Sequence, residues 1–370
     1  MAWNLFIFEI MKLFNSLFFV FIFIGISFSQ KVIPLIDFNN YFKSFEKGFF
    51  RQIEFQPITE FKAGDDVVAY MNSRGDLMAY NGDKPMRLAN MAVEYTVSDA
   101  LLTWKIGPTL NMWDNGKMMT LSYNARNYWV KDSIIVYEDL RFNSVNVYYN
   151  GRTYELYKSV GDVDSPDFIG ENIVAFRDNG NFNKVFWRGE IYDLDVWHSR
   201  FNYEGGTDMI AFNDPKNGTF AVFEKGRFLD VEEFHVNKYK VGRGFVIYES
   251  RNGDLMYYGN GVKKQISNFN ATTWEVKDDV VLWSENNFMY AYVRETKFEV
   301  ARFIPEDYMI KNDVIVFRDM MGGVTALING EKKVITTQMN SEYKIYGSSV
   351  LVELFNRSYV VYSNGKIYSI

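Results

Sequence analysis

The chain has 370 residues, 48% hydrophobic and 18% aromatic, with 40 basic and 46 acidic side chains for a formal net charge of −6. A pI near 5.3 argues against the basic face that a nucleic-acid partner requires. With no cysteine there are no disulfides, no lipidated cysteine and no thiolate metal ligands.

In chain order, Leu13 to Phe28 is an almost purely apolar run behind Lys12, ending in Ser27-Phe28-Ser29-Gln30. This predicts an export signal over residues 1–29, cut after Ser29, with Met11 as an alternative start. The run is short for a membrane span, and an uncleaved anchor is the alternative. Cleavage removes Glu9 and Lys12 and leaves the net charge unchanged. Export without cysteine suits a bacterial periplasm, peripheral to the outer membrane, with no span in the mature protein. Residues 30–57 interleave Phe38, Tyr41, Phe42, Phe45, Phe49 and Phe50 with Lys43, Glu46, Lys47 and Arg51. Helical spacing would gather most of these rings on one broad face, so the segment is expected to be a flap on one end of the domain that follows.

From residue 58 to 370 a single unit recurs. A β-branched run closing on an aromatic ends at Tyr70, Trp104, Tyr137, Phe176, Phe212, Tyr248, Trp283 and Phe317, and in its last copy at Glu353; the spacings lie between 33 and 39 residues. Asn-Gly pairs keep the same beat at Asn81, Asn115, Asn150, Asn260, Asn329 and Asn364, with Arg188-Gly189 and Lys225-Gly226 between them, and Arg294-Glu295 breaks the rule. Asn then Gly adopt most cheaply the positive φ that a type I′ hairpin turn needs at both positions. A further aromatic stands upstream of each run: Phe61, Tyr95, Tyr128, Phe168, Tyr203, Tyr239, Trp274, Tyr308 and Tyr343. Markers in phase at about 35 residues, without helical periodicity, mean short strands stacked around a core. Such small sheets bury too little alone, and radial closure supplies the cover. The expected fold is therefore all-β: a β-propeller of about nine short four-stranded blades. The C-terminus supplies three strands to the last blade, and the run around Ile58–Lys62 is expected to complete it as the outer strand. Gly161–Gly170 and His198–Thr207 are the longest departures from the repeat and read as surface loops.

An acid heads most of the repeated strands: Asp66, Asp99, Asp132, Glu171, Asp208, Asp279 and Asp313. On a propeller these positions lie around one mouth of the central channel. There they could form a negative ring for a cation or for basic segments of a partner. Alternatively, each carboxylate accepts backbone N–H groups of its own turn. The two histidines, His198 and His235, lie in different repeats without HExxH spacing, so neither a metal nor a cofactor is expected. GxSxG elbows, phosphate loops, dinucleotide glycine patterns and the Asp-box of sialidase propellers are missing. No catalytic residue stands out, although abundant carboxylates leave a paired-acid site open.

The Asp-x-Val-x-aromatic strand with its Asn-Gly turn resembles WD40-like and TolB-like exported propellers in architecture, without the hallmark WD40 dipeptides. The leader, the lack of cysteine and the aromatic-rich, mildly acidic ring also resemble the soluble plug subunit of the bacterial type IX secretion translocon. This resemblance spans residues 31–370, rests on overall character and transfers no functional residue. It implies a non-enzymatic periplasmic propeller that binds or scaffolds a protein partner in an outer-membrane assembly, plugging or gating a secretion translocon. The alternative is an exported carbohydrate-active or other hydrolytic propeller.

Overall fold

The structure, a computed structural model, describes residues 32–90, 94–197 and 203–370. The expected signal over 1–29 and His198 lie outside the described residues. Every described element is a strand or a turn, and no described helix is long and apolar enough to cross a membrane.

The strands form ten separate antiparallel sheets rather than about nine. Blade 1 has three strands, Ile33–Ile36, Tyr41–Glu46 and Phe49–Pro57. Blades 2 to 10 have four strands each and span residues 61–89, 94–122, 125–158, 168–197, 203–232, 239–265, 273–301, 308–336 and 342–369. In blades 2 to 10 the second strand is buried along most of its length, as in Val314–Arg318 and Val68–Met71, whereas the fourth is largely exposed.

Period-two geometry explains the buried runs, because alternate residues of one strand serve opposite neighbours. Val314 and Val316 pack with Tyr343, Ile345 and Val350 of blade 10, while Ile315 and Phe317 pack with Leu282 and Ala291 of blade 8. Ten apolar clusters arise this way, one between each successive pair of sheets. The cluster that closes the ring joins Ile33, Leu35 and Phe45 of blade 1 to Tyr346, Leu351, Tyr359 and Val361 of blade 10. The Phe45 and Tyr368 rings lie 4.8 Å apart, and the Tyr359 hydroxyl donates to the Ile36 carbonyl at 2.7 Å.

Two expectations are corrected. The run around Ile58–Lys62 does not complete the last blade. Phe61–Ala63 pairs with Val68–Met71 as the first strand of blade 2, and blade 10 takes all four strands from the C-terminus, starting at Glu342–Tyr346. Closure is by side-chain packing instead of a latching strand. Residues 30–57 are also not a helical flap on one end: from Ile33 onward they are a blade in the ring. Their rings divide between two faces, with Phe42 packed toward Tyr70 and Tyr80 of blade 2 and Phe45 toward blade 10. Lys47 and Gly48 supply the positive-φ pair of its hairpin turn.

Candidate functional site at the channel mouth

In blades 2 to 10 a short turn joins the first strand to the second, and each predicted acid sits in this turn. The nine turns meet edge to edge. The Asp66 N–H donates to the Asp99 carbonyl at 2.8 Å, Glu171 N–H to Thr207 at 2.9 Å, Arg243 N–H to Asp278 at 2.7 Å and Asp279 N–H to Asn312 at 3.1 Å. Two serine hydroxyls continue the belt, Ser98 to the Asp132 carbonyl and Ser133 to the Glu171 carbonyl, both at 2.6 Å. The approach is close enough to require small residues. A Cβ on Gly64 would lie 1.9 Å from the Ser98 carbonyl, and one on Gly206 would lie 2.1 Å from the Gly242 carbonyl. Blade 10 reaches blade 2 directly, through Gly347 N–H to Asp65 Oδ1 at 3.0 Å. The belt therefore passes blade 1, which places no such turn in it among the described residues.

Side chains then bridge the belt. Lys311 of blade 9 holds Asp65 of blade 2 at 2.6 Å and Asp99 of blade 3 at 3.1 Å. Arg243 of blade 7 holds Glu171 of blade 5 at 2.5 Å and Asp279 of blade 8 at 3.3 Å. Arg294 pairs with Asp313 at 2.7 Å. Asn312 donates its amide to Asp65 at 3.3 Å, and its N–H goes to Asp278 Oδ2 at 2.8 Å. Of the predicted acids, Asp99, Glu171, Asp279 and Asp313 are thus ion-paired with other blades. Asp66 joins through its backbone, and Asp208 keeps one buried oxygen without a hydrogen-bond partner among the described residues. Asp132 has no cation within ion-pair distance among the described residues. Burial and the adjacent Asp99 push its carboxyl up to about 7. Burial raises Glu171 and Asp279 as well, with Arg243 opposing the rise in both. For Lys311 burial alone would lower the pKa, but Asp65 and Asp99 outweigh it and the pKa rises.

Four of the seven predicted carboxylates thus serve other blades rather than the N–H groups of their own turns. Sequence reasoning missed the partners: Asp65, Asp278, Arg243, Arg294, Lys311 and Asn312. Several were in view as neighbours of the acids in the same turns, yet nothing local says that Lys311 reaches Asp65, 246 positions away. No group of three His or acidic residues is placed to hold a metal ion among the described residues. His235 lies away from the mouth, its Nε2 3.0 Å from the Asp214 carbonyl oxygen.

No curated protein matches the chain. Among solved structures it is similar to the computationally designed Ika8 protein, at 16% identity over 69% of this chain and 90% of that one, with a TM-score of 0.30. It is also similar to a eukaryotic initiation factor, at 10% identity over 92% and 96% with a TM-score of 0.45. A third similar structure is the CRINKLY WD40 ectodomain of an Arabidopsis thaliana receptor kinase, at 11% identity over 67% and 97% with a TM-score of 0.32. The ten packed sheets agree with the family profile that matches residues 26–368, and the chain belongs to the 10-bladed beta propeller domain family.

Proposed function

We propose that this propeller is a non-enzymatic, exported scaffold that binds a protein partner. The carrying observation is the mouth, where four of the seven predicted acids and Asp65 are committed to ion pairs: Lys311 holds Asp65 and Asp99, Arg243 holds Glu171 and Asp279, and Arg294 holds Asp313. Carboxylates held by cations in neighbouring turns brace a rigid platform and are poorly placed for acid–base work, which needs a free carboxyl beside a substrate. A ring braced in this way presents broad, fixed faces, on which loops can carry specific contacts. The finer reading is a periplasmic component of an outer-membrane assembly that plugs or gates a secretion translocon. Affinity isolation of a tagged full chain from native envelopes, with partners identified by mass spectrometry, tests it. Recovery of a large membrane barrel is the expected outcome, and recovery of the propeller alone removes the plug assignment.

One observation favours a second reading as a carbohydrate-active propeller. A cleft of about 610 Å³ along the first strands of blades 6 to 8 combines Tyr203, Tyr239 and Trp274 with Glu204 and Glu249. Glu249 is already held by Trp274 Nε1 at 2.9 Å and by Lys238 at 3.1 Å. Cleavage of any member of a glycan panel, lost in Glu204→Gln, would establish this reading over the first.

A further inference from the structure

The longest connection between described strands of successive blades, residues 159–167, runs from blade 4 to blade 5 at the end of the ring opposite the acidic mouth. It carries Asp162, Asp164 and Asp167 and no basic residue. Beneath it lies a cleft of about 380 Å³, within the range of small-ligand sites. Val136, Val145 and Leu156 form its apolar floor. Tyr157 and Phe176 form a wall of near-parallel rings, 5.8 Å apart and 10° from coplanar. The Tyr157 hydroxyl makes no hydrogen bond among the described residues. Burial, with Asp164, Glu138 and Asp178 nearby, holds that hydroxyl protonated, its pKa pushed up to about 12. The rim is acidic. Asp164 is almost fully exposed, and Arg177 stays 3.8 Å from it; Arg177 lies 3.5 Å from Asp167. Asp162 projects fully into solvent and reaches only the half-exposed Arg126, at 2.9 Å. Exposed pairs of this kind hold their partners weakly and exchange readily.

We propose that this cleft between blades 4 and 5 is a docking site for a basic side chain, lysine or arginine, on a loop or extended segment of a partner protein. The aliphatic stem would lie on Val136, Leu156 and the Tyr157 ring, and the cation would meet Asp162 and Asp164, displacing Arg177. An apolar trough with anionic carboxylates at its lip matches the two-part chemistry of such a side chain and rejects an acidic one. The inference rests on the protein-binding reading above and names a contact for it.

The test uses the full chain and a fluorescein-labelled hexapeptide with one central lysine flanked by leucines, read by anisotropy. Controls replace that lysine with norleucine or glutamate. The lysine peptide should bind, and both controls should lose at least about tenfold. Asp162→Asn with Asp164→Asn should weaken it by about tenfold, and Tyr157→Phe by about threefold. Arg177→Gln, which removes the competing cation, should tighten it by about threefold. Asp132→Asn at the opposite mouth should leave binding unchanged. Equal binding of the norleucine peptide, indifference to the aspartate changes, or loss only in the mouth variant would each overturn the assignment. A lysine peptide that does not bind overturns this cleft alone, because the scaffold reading is decided separately by copurification from envelopes.

Discussion

Asp132 is a mouth carboxyl that burial and the adjacent Asp99 both disfavour in its charged form. Its folded-state pKa, about 7, lies above the ordinary carboxyl value of 3.8. A raised carboxyl favours folding while protonated, so its contribution is complete below about pH 4 and is lost as pH rises through 7. Asp132→Asn should therefore match the parent in thermal melting near pH 4 and exceed it at pH 8. The gain should be about 1–2 kcal/mol after allowing for solvent screening. A second residue-scale prediction concerns the departure from the Asn-Gly rule. Arg294 and Glu295 hold φ of 47° and 63°, the left-handed region that costs an L residue about 1 kcal/mol. Glu295 lies 3.8 Å from Lys264 in an exposed ion pair. Glu295→Gly should raise stability by about 0.5–1 kcal/mol in chemical denaturation, whereas an alternative turn in that hairpin would leave it unchanged.

At the level of the element, the first strands carry a repeated cross-blade bond. Tyr95 donates to Glu60 at 2.9 Å, Tyr128 to Glu94 at 3.3 Å, Tyr203 to Asp167 at 2.7 Å and Tyr308 to Glu275 at 3.0 Å, each carboxylate lying one blade back. Tyrosine occurs where the preceding first strand offers an acid. Phe168 follows a strand with Asn127 at that place, and Trp274 follows one flanked by Lys238 and Lys240. The aromatic marker thus has two tasks, filling the joint and bonding across it. The turns below these strands tolerate no added bulk. Gly206→Ala would drive a methyl into the Gly242 carbonyl and Val241, separating blades 6 and 7. We expect a loss of about 2–3 kcal/mol, seen as a lower denaturation midpoint with an unchanged slope; full stability would mean that the turns are not in contact.

For the whole molecule, stability depends on closing the ring. The joint between blades 1 and 10 rests on side-chain packing and the Tyr359 bond to the Ile36 carbonyl, with Phe45 only 3% exposed. Phe45→Ala should cost about 3–5 kcal/mol. Removing residues 32–57 should do far more, because it strips cover from Tyr346, Leu351 and Val361 on one side and from Val68, Tyr70 and Tyr80 on the other. Size-exclusion chromatography should show aggregate in place of monomer. A well-behaved truncated monomer would restore the idea of a dispensable flap.

Much of this was legible along the chain. Val314 to Phe317 and its eight relatives announce strands covered on both faces, and Asn-Gly announces the hairpins, because both signals arise from neighbours in sequence. The markers number nine because they track a run that closes on an aromatic, and in blade 1 the corresponding strand before the turn at residues 37–40, Ile33–Ile36, closes on isoleucine. Strand phase went astray for a related reason. A unit of four apolar runs closing around Phe168 would assign Phe168–Ile169 to the blade before it, yet it pairs with Ile173–Arg177 across a three-residue turn, while nine residues part it from Lys158. Connection length was the available clue. The mouth acids were visible one by one, but their partners were not, because Lys311 meets Asp65 and Asp99 only after the chain has turned through a full circle. The sequence by itself determined strand, turn and repeat, which depend on local backbone geometry and period-two burial. Only the tertiary structure decided the number of sheets, the joint that shuts the ring and the pairing of its charges, because these are set by surfaces that meet when the two ends of the ring come together.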